Sequence, residues 1–255
     1  IAWDHINVFP NFDMYVDQFR IFKNMVTDTL IYCSEDKELN KLAKEGANCQ
    51  LIAYTAPVHN ILNGITKVNN TELIIFGKHN LQNLNAAKLV CNELGVTDTD
   101  FFLQIANFKG ASMRLELVKK TASSAVYKDF AHSPSKLKAT SSAMKKQFSN
   151  RKLVACMELH TFSSLNEEFL KEYKGSMDKP DTAIVYFSPS AIAHKKLEPI
   201  TPNQVLTAFG RKDLLVFTDS EKLETYLNNL NWKNTNLLMM SSGTFEGMNL
   251  ENLID

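Results

Sequence analysis

Several short polar segments carry residue types that could do chemistry. Gly77-Lys78-His79-Asn80-Leu81-Gln82-Asn83 sets Asn80 and Asn83 one helical turn apart. On a helix their carboxamides share a face and could offer donor and acceptor to a purine edge; capping of the helix start by Asn80 is the competing account. Gly110-Ala111-Ser112-Met113-Arg114 puts an arginine at an expected strand start, and Tyr127 to Pro134 puts Asp129 and His132 at the end of the neighbouring strand. Such an arginine and aspartate could equally form a structural ion pair. His160-Thr161-Phe162-Ser163-Ser164 and Ser241-Ser242-Gly243-Thr244-Phe245-Glu246-Gly247 each follow a further expected strand. There the serines could bind a ligand or cap a helix, and the glycines allow either close backbone approach or a plain surface turn.

What is missing narrows the chemistry. Neither G-x-x-x-x-G-K-[ST] nor G-x-G-x-x-G occurs, so the chain carries no phosphate loop and no dinucleotide fingerprint, and is not a self-sufficient ATPase. Lys+Arg and Asp+Glu both number 28, and the basic residues are scattered. Nothing in that balance asks for nucleic acid or an acidic membrane as partner. No apolar run approaches the roughly 18 residues of a membrane span.

The 255 residues, 44% hydrophobic and 22% charged, suit one large soluble domain or two modest ones. The start, Ile1-Ala2-Trp3-Asp4-His5, has neither an initiator Met nor a signal-peptide pattern, and the chain reads as a fragment or processed product. Cys33, Cys49, Cys91 and Cys156 form no C-x-x-C pair. They read as reduced, buried cytosolic thiols rather than a zinc site or disulfide framework.

The elements that must position these residues alternate. Strands are expected at Leu30 to Cys33, Leu51 to Tyr54 and Glu72 to Phe76, the last running through Gly77 into a helix that ends near Leu94. A boundary falls at Asn107 to Gly110. Beyond it come strands Met113 to Val118 and Ala125 to Phe130, then helix Pro134 to Phe148, strand Lys152 to Glu158, helix Leu165 to Tyr173 and strand Thr182 to Phe187. Helix Pro202 to Phe209, strand Leu214 to Thr218, helix Glu221 to Leu230 and strand Asn236 to Met240 complete the series. This predicts an α/β chain with largely parallel sheets and a Rossmann-like second half. Ser133-Pro134 and Thr201-Pro202 read as helix starts, and Ser164 to Glu167 as a capping box. In such sheets ligands bind at the carboxyl ends of the strands, where the polar segments lie.

In order along the chain, these segments resemble the Mur ligase family of ADP-forming amide ligases in bacterial peptidoglycan synthesis. Gly77 to Ala87 is similar to its Gly-x-His-Asn-x-x-Asn segment, Phe108 to Arg114 to Phe-x-Gly-x-x-x-Arg, and Asp129 to Pro134 to Asp-x-x-His-x-Pro. The resemblance implies an α/β fold in which residues 1–108 are the C-terminal portion of a Mur ligase central ATP-binding domain and 109–255 its Rossmann-like C-terminal domain. Lys128 to Lys136 and Glu158 to Leu165 are most similar to the murein peptide ligase branch, which joins L-alanyl-γ-D-glutamyl-meso-diaminopimelate to UDP-N-acetylmuramate in peptidoglycan recycling. The UDP-N-acetylmuramate:L-alanine ligase is the alternative. A non-catalytic Rossmann-like module and a folylpolyglutamate synthetase are rivals that account less well for the ordered segments.

By the same resemblance, the cofactors are ATP and Mg2+, with His5 at the metal site and, with Arg114, in the catalytic set. Asn80 and Asn83 meet the adenine, Arg114 a phosphate and Asp129 the ribose. His160, Thr161, Ser163, Ser164, Ser241, Ser242 and Gly243 meet the incoming substrate. The implied partners are UDP-N-acetylmuramate, a murein peptide and the N-terminal remainder of the same polypeptide, in the bacterial cytoplasm. Met113 stands where many members carry a second basic residue, and Arg20 lies in the neighbourhood where some branches carry a carbamylated lysine. The implied chemistry is activation of the lactyl carboxylate to an acyl phosphate, followed by attack of the acceptor amine.

Overall fold

The computed structural model describes residues 1–6 and 8–254. The chain divides into two units, Ile1–Phe108 and Lys109–Asp255.

In the first unit, α1 (Phe12–Met25) and α2 (Lys37–Lys44) are capped by Asn11 and Asp36, whose side chains accept backbone N–H groups of the first turn. They accompany a two-stranded parallel sheet of β1 (Thr29–Cys33) and β2 (Gln50–Tyr54). Next comes an antiparallel sheet of β3 (Asn60–Leu62), β4 (Ile65–Val68) and β5 (Thr71–Leu73). Its two hairpin turns place Asn63, Gly64, Asn69 and Asn70 at positive φ, which matches the twist of the flanking strands. This sheet departs from the expected parallel arrangement, and the expected strand to Phe76 ends at Leu73. Gly77, at φ 90°, turns the chain into α3 (Lys78–Glu93), and Thr97 caps α4 (Asp98–Ile105). Val68, Leu73, Leu81, Leu84, Phe101 and Phe102 form the core here.

The second unit holds a six-stranded sheet in the order β10-β9-β8-β11-β7-β6. The strands are β6 (Glu116–Lys120), β7 (Ala125–Asp129), β8 (Lys152–Glu158), β9 (Thr182–Tyr186), β10 (Leu215–Phe217) and β11 (Thr235–Met240). All pairs are parallel except β6 with β7, which is antiparallel and shifts register between Leu117 and Lys119. Helices α5 (Pro134–Gln147), α6 (Glu167–Leu170), α7 (Pro189–His194), α8 (Pro202–Phe209) and α9 (Ser220–Asn228) intervene. After β8 the chain moves outward to β9 and β10, then returns so that β11 lies between β8 and β7. Every residue of β11, and all of β8 after Lys152, is buried, as continuous apolar strands of a covered parallel sheet should be.

Thr201 forms the full capping box with Gln204, whereas Ser133 occupies its N-cap position without a side-chain bond. The expected capping box at Ser164 is absent: Asn166 caps α6 instead, accepting from Phe169 N. The four cysteines are free, but only Cys156 is buried and the other three are half-buried, which corrects the expectation of buried thiols throughout. Burial pushes the Cys156 thiol well up from its ordinary range. Among the described residues no helix is long and apolar enough to cross a membrane.

Candidate functional site

Candidate residues fall in both units, and each group is built locally. In the first unit, α3 begins at Gly77 with no side-chain cap. Asn80 does not cap the orphan N–H groups; its Nδ2 donates back to Phe76 O at 3.0 Å, and its Oδ1 has no partner among the described residues. Asn83, one turn on, is exposed. The helix start is anchored by Glu35, which pairs with Lys78 at 2.6 Å and accepts from Gln82 Nε2 at 2.8 Å and Ala56 N at 3.1 Å. Those bonds, Lys78 first, lower the Glu35 carboxyl to about 2. Two carboxamides on an anchored helix face fit the donor and acceptor edge of a purine.

His5 is exposed with φ 56°, and Asp4 beside it is buried and accepts the His5 N–H at 2.8 Å. Among the described residues no group of three or more His, Cys, Asp or Glu side chains could hold a metal ion. A hard cation such as Mg2+ wants a near-octahedral shell of oxygens. His5 does not supply one, so the residues present do not make a magnesium site by themselves.

In the second unit, Arg114 does not open a strand. It sits in a turn between Met113 and Leu115, both at positive φ, two residues before β6. Its exposed guanidinium lies 5.7 Å from the Phe130 ring centroid, and it has no carboxylate partner among the described residues. Asp129 explains the turn. The residue is 3% exposed, its Oδ2 accepts Leu115 N at 2.8 Å, and its Oδ1 accepts Ala131 N at 2.7 Å and Thr140 Oγ1 at 3.4 Å. Two backbone amides and a hydroxyl thus fix the orientation of this carboxylate. Its work in this structure is to hold the Arg114 turn. His132 is likewise committed, Nδ1 lying 2.8 Å from Phe130 O.

The remaining candidates line the carboxyl ends of the adjacent strands β8 and β11, and open α/β sheets bind ligands at the carboxyl ends of their strands. Their hub, Glu158, was missed by sequence reasoning. Its Oε2 accepts the Ser241 hydroxyl and Phe245 N (3.0 Å), while Oε1 lies 3.7 Å from Nδ1 of half-buried His160. Ser241 Oγ in turn accepts Gly243 N at 2.6 Å. Gly243 is required sterically: a Cβ there would stand 2.8 Å from Glu158 Oε2 and 2.9 Å from the His160 ring. Ser242 Oγ is enclosed without a partner among the described residues. Thr161 and Ser164 satisfy each other, with Ser164 N and Oγ both near 3.0 Å from the Thr161 hydroxyl, and Ser163 is buried. These three shape the loop and leave His160 as its polar group facing outward.

Next to this crevice, Glu246 takes a left-handed backbone (φ 56°) and accepts Ser188 Oγ at 2.7 Å and Ser220 Oγ at 2.9 Å. Ser188 first, then Tyr186 and Ser220, hold its carboxyl below the usual range. Burial and that carboxylate push the Tyr186 phenol up. Ser188 also caps α7, so Glu246 ties that helix to the last loop. The signal for α7 was present, since Ser188-Pro189 repeats the Ser133-Pro134 and Thr201-Pro202 pattern.

No family model matches the chain. It is 30% identical over 203 residues to a UDP-N-acetylmuramate–L-alanine ligase of Caldicellulosiruptor bescii, covering 71% of this chain and 44% of that protein. To the ligase of the same name from a Sulfurihydrogenibium species it is 32% identical over 184 residues, 70% of this chain and 40% of the relative. The chain thus spans less than half the length of these curated relatives. Among solved structures, the UDP-N-acetylmuramate-alanine ligase of Thermotoga maritima superposes with TM-score 0.65 at 18% identity, covering 96% of this chain and 55% of that one. A murein peptide ligase from Psychrobacter arcticus gives 0.62 at 17% identity, with 99% and 57% covered. The chain is related to Mur ligases by sequence and carries the fold of their C-terminal part.

Proposed function

We propose that the chain is the C-terminal part of a Mur-type, ATP-dependent, ADP-forming amide ligase acting in the bacterial cytoplasm. It would join L-alanyl-γ-D-glutamyl-meso-diaminopimelate to the lactyl carboxylate of UDP-N-acetylmuramate in peptidoglycan recycling. Residues 1–108 would close a central ATP-binding domain whose phosphate loop lies in the N-terminal remainder of the polypeptide, and residues 109–255 would form the closing domain. The observation that carries this reading is the crevice organised by Glu158 at the ends of β8 and β11, in a chain whose sequence relatives are named as UDP-N-acetylmuramate ligases.

ATP, when bound, supplies the phosphoryl group that activates the carboxylate. Asn80 and Asn83 would receive the purine edge. Arg114, exposed and without a carboxylate partner among the described residues, would set a positive charge against phosphate oxygens, with Asp129 acting through the backbone to hold it there. The crevice would bind and orient the acceptor, with His160 as its outward polar group. Since no magnesium shell is formed among the described residues, no step is assigned to His5.

The tripeptide reading is supported by the likeness of Lys128 to Lys136 and of Glu158 to Leu165 to the murein peptide ligase branch. L-Alanine is the second reading, favoured by the names of the sequence relatives. Amide formation by the whole polypeptide, with each acceptor in turn, separates them: a higher kcat/KM for tripeptide supports recycling, a higher value for L-alanine assigns the biosynthetic ligase, and product with neither overturns both. In that assay Arg114→Ala should lower kcat by about a hundredfold with an unchanged thermal midpoint. The 255-residue chain alone should release no phosphate from ATP.

A further inference from the structure

A carboxylate-bearing acceptor needs a cation, and the loop from His160 to Ser164 contains neither Arg nor Lys. One is delivered from the neighbouring element. The Lys195 ammonium, at the C-cap of α7, lies 5.1 Å from the centroid of the Phe162 ring. Lys195 is half-buried and has no carboxylate partner among the described residues. Phe162, in the middle of that loop, is 52% exposed. An ammonium held over an aromatic face is oriented without being neutralised, and so keeps its full charge for a ligand.

Two further features bear on the same place. His194 and Lys196 flank Lys195, both exposed, while Glu198 is the nearest acidic residue along the chain. The helix bearing Lys195 is fixed at its other end, where Ser188 caps it and donates to Glu246. The ammonium is therefore placed by α7 and by the Phe162 face rather than by a counter-ion, at the same end of the sheet as His160.

We propose that Lys195, held over Phe162, is the residue that binds an acceptor carboxylate, and that it sets the preference for a peptide with several carboxylates over a free amino acid. This rests on the ligase reading above. Because the pair is open to solvent, the contribution falls as salt is raised. Lys195→Arg keeps both the charge and the stacking on Phe162, whereas Lys195→Met keeps only the stem.

The test is calorimetric binding of L-alanyl-γ-D-glutamyl-meso-diaminopimelate, of its fully amidated form and of L-alanine to the chain, each with wild type, Lys195→Met and Lys195→Arg. Thermal midpoints establish that the variants fold. The expected result is a loss of about tenfold or more for the tripeptide with Lys195→Met, near-complete retention with Lys195→Arg, and no Lys195 dependence for the amidated peptide. Equal tripeptide affinity in wild type and Lys195→Met overturns the role of Lys195 and leaves the ligase reading standing. A wild-type chain that binds neither the tripeptide nor L-alanine overturns the acceptor site at Lys195, and amide formation by the whole polypeptide then decides the ligase reading separately.

Discussion

The two parallel sheets of this chain are buried to different degrees. In the second unit β8, β9 and β11 are enclosed almost along their whole length, with Ile184, Tyr186, Leu237 and Met239 in one continuous core. In the first unit neither β1 nor β2 has a single buried residue. Beside them an apolar cavity of about 220 Å³ is lined by Phe19, Phe22, Leu30, Leu42 and Leu51, and Ile21, Phe22 and Met25 of α1 are exposed. Parallel strands are normally covered on both faces. The contrast is between a sheet that supplies its own cover and one that does not, and it assigns most of the stability to the second unit.

That contrast can be broken most directly with core truncations. Ile184→Ala should cost about 2–5 kcal/mol and Ile31→Ala, half-buried in β1, about 1 kcal/mol or less. The two tryptophans allow each unit to be followed by itself: Trp3 donates to Phe9 O in the first, Trp232 to Leu227 O in the second. In urea, Trp3 fluorescence should change at lower concentration than that of Trp232. A single coincident transition would show that the units unfold together.

Within the second unit, Asp129→Ala should cost about 3 kcal/mol, because Leu115 N and Ala131 N are left without their acceptor. The change should also be visible as movement of the Arg114 side-chain resonances. Gly243→Ala comes next, at about 1–3 kcal/mol, since the new methyl must displace Glu158 or the His160 ring. An unshifted His160 imidazole spectrum in that variant would mean the crevice is looser than its distances indicate.

The smallest effect belongs to the first unit and is set by pH. The Glu35 carboxyl lies below its ordinary value of 4.5, at about 2, so its contribution is complete above about 4.5 and is lost as pH falls toward 2. Amide exchange at the start of α3 should quicken over that interval in wild type and be less sensitive to pH in Glu35→Gln. Equal profiles would remove Glu35 as the anchor.

Much of the second unit was legible because its elements carry local signals. The apolar run of β8 and the proline start of α8 have the bounds the sequence suggests, Lys152 to Glu158 and Pro202 to Phe209. The antiparallel sheet of the first unit was legible in principle, since Asn63-Gly64 between Leu62 and Ile65 is a strong hairpin signal; strands of three or four residues leave little periodicity to see. The site was harder. The sequence does not reveal that the Asp129 carboxylate accepts two backbone amides, one of them fourteen residues away. Glu158 and Ser241 are 83 residues apart and meet only because β11 inserts beside β8. No local pattern encodes that insertion.

The register shift in β6 bears on how the molecule behaves in company. An open sheet has two margins, each a row of unpaired backbone groups on which a second copy could polymerise. Here one margin is β10, a strand of only three residues. The other is β6, irregular between Leu117 and Lys119, with Lys119 turned to the Ile254 carbonyl and Lys120 exposed. Short length on one side, and a bulge with lysines on the other, deny a flat template to a neighbouring chain. The sheet can thus present its strand ends to a small ligand at high protein concentration without inviting fibril growth along its sides.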